Sequence, residues 1–427
     1  MVADQLNTKK SPSAAGNAQP QDVDRFFHGL VLEPQKQGYL EACQVLSRDG
    51  SQVYICYYDR PGQAEMVTED SADCGHAPCL MMKASSDRGR NWGEPWILRD
   101  RSGQKLTGYH QSLLRLPSGA LGIIYSAWNV PGHHTGRDFG TSVVFRSSED
   151  EGRSWSEPTV LGPTWSLCCT GHALVLSSGQ IVAPMTKWIS HEPTNEAEEF
   201  QSPTLSHSFC YVSDNEGQSW KKSLSELFVS VRRAAYDLEE PTVVELKDGR
   251  LLMHLRSQLG RMYRTYSDDG GISWSRPQPM PIASSYTPCY LCRIPGNDFL
   301  LMIWNQASRQ EILTGLHRAR LSCAISKDEG ESWENYKNLE SLDNTTVVPP
   351  PPTDLVEVME QWEDDGYYQP SNIKRYHRTP GALRICYANV AFCDDEAIVV
   401  YDYGMGVLGE DVLGIKIRAI PLGWFTS

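Results

Sequence analysis

An octapeptide of the form S-x-D-x-G-x-x-W recurs along the chain, and its recurrence leaves few folds open. Ser267 to Trp274 (SDDGGISW) is one copy, and Ser85 to Trp92, Ser148 to Trp155 and Ser326 to Trp333 are three more. Ser213 to Trp220 is a fifth, with Asn215 in place of the Asp. The Trp residues at 92, 155, 220, 274 and 333 are spaced 54 to 65 residues apart. A period of that size marks a repeat architecture. The residue types fit a turn between two strands: the Asp accepts backbone N–H bonds, the Gly permits a positive φ, and the Trp plugs the gap between neighbouring units.

The octapeptide resembles the Asp-box of the sialidase superfamily, and five copies at this spacing imply a β-propeller. The resemblance implies that the boxes lie on the periphery of the ring, as turn elements rather than ligands. A second repeat fixes the number of blades. It is an apolar strand, a tight turn and another apolar strand, with copies at 43–58, 112–125, 173–185, 242–255, 290–304 and 389–401. Each reads as a hairpin. Six hairpins predict an all-β, six-bladed propeller with each box joining the outer two strands of a blade. The sixth blade has no box, as expected where strands from both ends of the chain close a ring.

A chain of 427 residues then forms one domain by radial repetition. Residues 1–22 read as a disordered tail, and 23–427 as the propeller, with polar or Pro-rich insertions at 189–206 and 341–380. The net charge of -14 argues against nucleic acid or an anionic membrane as a partner. Residues 1–22 contain no apolar run of signal-peptide length, and no segment is long enough to span a bilayer, so the expected location is cytoplasmic. Twelve Cys then read as reduced, buried small side chains. Cys289 and Cys292 fall on opposite faces of a strand and not in a metal or redox pair. No metal or cofactor is expected. The partner expected is a small molecule or glycan in the central channel.

The innermost strand of each blade lines that channel, so the polar residues around those strands are the candidates. Blade one offers Glu41, Arg60, Asp73 and His76; blade two His110, Gln111 and Trp128; blade three His172 and Lys187. Blade four offers Glu240 and Arg256; blade five Tyr286, Asn305 and Arg318; blade six Tyr387, Asn389 and Asp402. The resemblance sharpens this set. The stretch Glu240-Pro241-Thr242-Val243-Val244-Glu245-Leu246-Lys247-Asp248-Gly249, continuing to Arg256, is similar to the sialidase segment that begins with a catalytic Glu and ends with a substrate Arg. Arg318, three residues before Leu321 and the last box, matches a second substrate Arg. Tyr387, ahead of Tyr401-Asp402, matches the nucleophilic Tyr, and Asp73 the acid/base. A phenol has a pKa near 10, and a carboxylate beside it can take its proton.

One departure bears on the substrate. Sialidases open the first blade with Arg-Ile-Pro, whose Arg is one of three gripping the substrate carboxylate. Counting back from Asp49-Gly50, Leu40 takes that position and Glu41 follows it. The resemblance thus implies a glycosidase-type pocket for a non-sialic substrate. Alternatives are a non-hydrolytic enzyme of secondary metabolism such as a cycloaddition catalyst, a lyase using His110 or His172 as base, and a glycan-binding propeller without turnover. Losing a charge-assisted bond costs about 1.5–3 kcal/mol, and an opposed carboxylate adds to it. On a fluorogenic sialoside the chain is therefore expected to fall at least about a hundredfold below an ordinary sialidase. Ordinary turnover in that assay would mean that another cation, Arg60 foremost, supplies the missing grip.

Overall fold

The computed structural model describes residues 22–36, 40–59, 78–128, 141–162, 167–168, 172–189, 205–231, 234–350, 382–407 and 410–427. Most of the expected tail and of both expected insertions lies outside these residues, as do Arg60, Asp73 and His76. Six antiparallel sheets form six blades in sequence order. Blade one is β2 (Cys43–Leu46), β3 (Val53–Asp59), β4 (Cys79–Ser85) and β5 (Trp96–Ile97). Blade two is β6 (Gly108–Arg115), β7 (Leu121–Trp128), β8 (Thr141–Ser148) and β9 (Thr159–Val160). Blade three has a split inner strand, β10 (Leu167–Cys168) and β11 (Leu174–Val175), both pairing with β12 (Ile181–Ile189), then β13 (Leu205–Ser213) and β14 (Lys221–Lys222). A hairpin, β15 (Val229–Val231) and β16 (Ala234–Tyr236), precedes blade four: β17 (Leu238–Glu245), β18 (Leu251–Ser257), β19 (Arg261–Ser267) and β20 (Gln278–Ala283). Blade five is β21 (Tyr290–Arg293), β22 (Leu300–Trp304), β23 (Arg320–Ser326) and β24 (Glu334–Ser341). Blade six is β25 (Leu383–Cys393), β26 (Glu396–Val407) and β27 (Glu410–Pro421), and β1 (His28–Lys36) joins it as the fourth strand. Two short α-helices occur among the described residues, α1 (Arg309–Leu313) and α2 (Leu422–Thr426). No described helix is long and apolar enough to cross a membrane.

Alternating side chains on a strand point to opposite faces, and on the middle strands of the blades, such as β3 and β18, both faces are buried. Tyr54, Cys56 and Tyr58 pack against blade two, whereas Val53, Ile55 and Tyr57 pack against blade six. The same division repeats around the ring, giving six apolar seams, one between each pair of neighbours. This is why the hairpins read as continuous apolar runs and not as alternating ones. Cys289 lies in the seam between blades four and five, and Cys292 packs on the seam between five and six.

The boxes join the third and fourth strands and share one hydrogen-bond pattern. The box Ser Oγ accepts from the Gly N–H at 2.8–2.9 Å in all five copies. The Asp or Asn oxygen accepts from the N–H four residues on at 2.8–3.0 Å. The Gly residues have φ between 79° and 91°, and the residue before each is also left-handed. The Trp residues sit at the rim but turn inward, into the seam with the preceding blade: Trp155 is fully buried between blades one and two, and Trp274 is 8% exposed between three and four. Trp92, Trp220 and Trp333 pack on the corresponding seams.

Five box Trp residues serve five of the six seams. The sixth seam, between blades five and six, is filled by Trp424 of α2, with Val23 and Phe425. Trp424 Nε1 donates to Asp22 at 2.8 Å, so the chain's last helix and the 3₁₀ turn Asp22–Arg25 stand in for the missing box. Truncating a buried Trp costs about 3–5 kcal/mol. Trp424→Ala is expected to lower stability by as much as Trp155→Ala does, read as the shift in urea midpoint. A Trp424→Ala change within about 0.5 kcal/mol, the range of ordinary surface substitutions, would remove it as a seam residue.

Candidate active site

Side-chain to backbone bonds tie the blades together around the axis, and several expected site residues belong to these ties. Gln111 Nε2 donates to the Glu41 carbonyl at 2.6 Å, Ala173 N to Ser112 Oγ at 3.0 Å and Glu240 N to Thr186 Oγ1 at 2.7 Å. Leu291 N donates to Thr242 Oγ1 at 3.3 Å, Asn305 Nδ2 to the Ile385 carbonyl at 2.9 Å and Gln44 N to Asn389 Oδ1 at 2.9 Å. Asn305, expected in the pocket, is thus a tie between blades five and six; it also donates to the Arg320 carbonyl at 3.0 Å and is 1% exposed. Within the ring, the Tyr290 hydroxyl of blade five reaches the Val390 carbonyl of blade six at 3.4 Å, and its ring lies 5.3 Å from His172 of blade three.

Above these ties, four residues at inner-strand positions share an unusual backbone. Glu41 (φ 49°), His110 (φ 55°), Glu240 (φ 43°) and Tyr387 (φ 52°) are all left-handed. At three of them the ladder to the second strand slips, between Tyr109 and Ser112, Glu239 and Thr242, and Cys386 and Asn389. Each is a bulge that re-aims one side chain. A left-handed non-Gly residue costs about 1–2 kcal/mol, and such strain gathers at functional sites. Glu41, His110 and Glu240 each lie nine residues before the Gly of the following turn (Gly50, Gly119, Gly249), a shared offset by which the sequence marks them.

Two of the four meet across the ring. The Tyr387 hydroxyl donates to Glu240 Oε1 at 3.1 Å, and the other Glu240 oxygen accepts from Arg256 of β18. Arg256 lies 3.7 Å from Glu239 and 3.6 Å above the centroid of the Tyr286 ring. Ser206 and Tyr286 donate to the two oxygens of Glu239. Arg318 stands 5.5 Å from the Tyr387 ring centroid and donates to Cys386 Sγ at 3.2 Å. Burial, then the charges of Glu240 and Glu41, push the Tyr387 phenol well above its ordinary 10, against the pull of Arg318 and Arg256. Burial works against the Arg256 charge too, but Glu240, Tyr286 and Glu239 outweigh it and hold that charge fast.

Glu41 and His110 form a second pair: His110 Nδ1 donates to Glu41 Oε2. Beneath them Asp402 of β26 accepts from Leu40 N at 2.9 Å and Glu41 N at 3.2 Å. Leu40, the position counted as the missing Arg, is instead a seam residue, 1% exposed. The displayed side chain is that of Glu41, one residue on. His172 is buried, its ring tilted against that of Tyr290, and held neutral because burial lowers its pKa to about 3. No partner for its Nδ1 is found among the described residues. Lys187 falls elsewhere. It follows Thr186 on β12, so strand alternation turns it from the Thr186 face to stand opposite His207. Trp128 ends β7, opposite Thr141. No cluster of three or more metal-ligating side chains occurs among the described residues.

Three comparisons bear on this architecture. A family model described as a BNR repeat-like domain matches residues 68–375. No curated protein matches in sequence. Among solved structures, a Dyadobacter fermentans protein of unknown function is similar at 15% identity, with TM-score 0.60, 92% of this chain and 97% of that one covered. The NanB sialidase of Streptococcus pneumoniae is similar at 13% identity, with TM-score 0.57 and coverage of 93% and 70%. Trypanosoma rangeli sialidase bound to 2,3-difluorosialic acid, described as a covalent intermediate, is 13% identical with TM-score 0.56; this chain spans 59% of it. At these identities the likeness is one of fold.

Burial is the first reason that the Asp402 carboxyl is pushed from 3.8 up to about 8, with the two backbone N–H bonds opposing and Glu41 adding to the shift. The folded chain therefore holds this proton between those two values while the unfolded chain releases it, so its contribution to stability falls as pH rises through that window. Asp402→Asn keeps an acceptor oxygen and removes the titration. Its denaturation midpoint is expected to fall less than that of the wild type between about pH 5 and about pH 9. Parallel profiles would show that Asp402 is ionised throughout.

Proposed function

The chain belongs to the BNR repeat-like domain family, and from that premise and the site's geometry we propose that it is a glycosidase-type hydrolase acting on a non-sialic sugar. The observation that carries the reading is the 3.1 Å bond from the Tyr387 hydroxyl to Glu240. A nucleophile and its base must lie within hydrogen-bond reach, and these two come from different blades on strained backbones aimed at each other. Glu240 takes the phenol proton as Tyr387 Oη attacks the anomeric carbon. Because the phenol is held above its ordinary pKa, no phenolate waits at rest, and proton transfer accompanies attack. Arg256 fixes the Glu240 carboxylate, and Arg318 beside the ring steadies the negative charge that develops on Tyr387. Glycosidases that use Tyr in this way exist among the sialidases, and a sialidase of the same fold has been described as a covalent intermediate.

The substrate reading follows from charge. Glu41 stands beside the position where a carboxylate-gripping cation is expected, and Arg256 is already engaged by Glu240 and Glu239. A neutral sugar meets no opposed carboxylate here, whereas a sialic acid does. Asp73, to which the resemblance assigns the acid/base role, lies outside the described residues. On a panel of neutral aryl glycosides the wild type is expected to release the aryl group, and Tyr387→Phe to lose about a thousandfold or more in kcat/KM. Equal rates for the two proteins would remove Tyr387 as nucleophile.

A further inference from the structure

We propose that His110, oriented by Glu41, is the group that protonates the leaving oxygen and then deprotonates the attacking water; this rests on the hydrolase reading above. Most of the acidic and basic atoms described in the site are already engaged. Both Glu240 oxygens are engaged, one by Tyr387 and one by Arg256. Both Glu239 oxygens are engaged, by Ser206 and Tyr286. Asp402 is fully buried and its two oxygens hold the N–H groups of Leu40 and Glu41. His172 is buried against Tyr290 and held neutral by that burial.

His110 differs from all of these. Its Nδ1 is bound to Glu41, and no bond to its Nε2 is found among the described residues. Its side chain is 13% exposed, more open than that of Glu41 at 6%. A carboxylate only accepts, so Nδ1 carries hydrogen and Nε2 is the atom left to give or take a proton. The backbone of both residues is left-handed, like that of Glu240 and Tyr387. The Glu41 charge also reaches Tyr387, which puts the two pairs in one field. A displayed imidazole with a carboxylate at its back is the arrangement of a directed acid/base.

The step balances. In the first half, Tyr387 Oη bonds to the anomeric carbon and its proton passes to Glu240. The glycosidic C–O bond breaks, its electron pair stays on the leaving oxygen, and that oxygen takes the proton from Nε2 of the protonated ring. In the second half, neutral Nε2 takes a proton from water, the water oxygen bonds to the anomeric carbon, and Tyr387 leaves with the proton returned by Glu240.

The test compares neutral aryl glycosides whose phenols span poor to excellent leaving groups. His110→Asn suits the left-handed backbone, since Asn adopts it readily. It is expected to lose about a hundredfold or more in kcat/KM on the poorest phenols and only a few-fold on dinitrophenyl substrates, which need no acid. Glu41→Gln is expected to show the same trend more weakly. Asp73→Asn is run beside them. A leaving-group signature in Asp73→Asn and not in His110→Asn overturns the proposal, as does a uniform loss in His110→Asn. If the wild type releases nothing from any glycoside, the hydrolase reading falls by itself. The pair is then judged by ¹⁵N NMR of the His110 ring. A ring protonated on Nδ1 in the wild type and mixed in Glu41→Gln sustains a Glu41-directed base, and a ring indifferent to Glu41 overturns it.

Discussion

A blade of four strands has two apolar faces and can bury neither alone. The inner and middle strands of each blade send alternate side chains into two different seams, so no blade is stable until it has a neighbour on each side. The ring is the arrangement that satisfies all of them at once. The box turns follow from that constraint: each places a Trp in the seam before it, and the identical Ser and Asp bonds keep the Trp at a fixed height. The polar ties around the axis do the same job at the inner edge, where the strands converge and backbone groups need partners away from water. Between rim and axis the blades are held rigid, and the four left-handed positions can be strained because their surroundings are not free to relax.

The site uses that rigidity. Tyr387 and Glu240 belong to blades separated by a third, and Glu41 and His110 to neighbouring ones. None of these contacts is local, and each depends on the angle at which two blades meet. Arg256 lies against Glu240, Glu239 and the Tyr286 ring, and Arg318 against the Tyr387 ring and Cys386.

This explains which parts were legible beforehand. The boxes and the apolar hairpins disclose the blades because each is a short-range signal, complete within a dozen residues. Glu240 with Arg256, and Tyr387 with Arg318, were legible through resemblance of short segments, and the structure brings those four together. The Glu41–His110 contact was not, since nothing in either strand names the other. Their common offset from the turn Gly was visible, but its meaning came only with the bulges. Asn305 and Lys187 were expected in the pocket; the structure sets the Asn305 amide nitrogen on two backbone carbonyls near the axis and Lys187 opposite His207. Trp424 belongs to no box, and nothing in its surrounding sequence marks it as the sixth seam residue that the structure makes of it.

The closure of blade six by β1 has a consequence for how the molecule is made. On the ribosome, β1 emerges with an unpaired edge and with Val31 bare, and its partner β27 follows only after blades one to five, as His28 opposite Arg418 shows. Five blades can assemble in order while the opening strand drifts without a partner. A strand left waiting in this way is an invitation to pair with another copy of itself. Chaperone capture of the nascent chain, and swapping of the first strand between two polyribosomal neighbours, are the two fates that such a latch has to steer between.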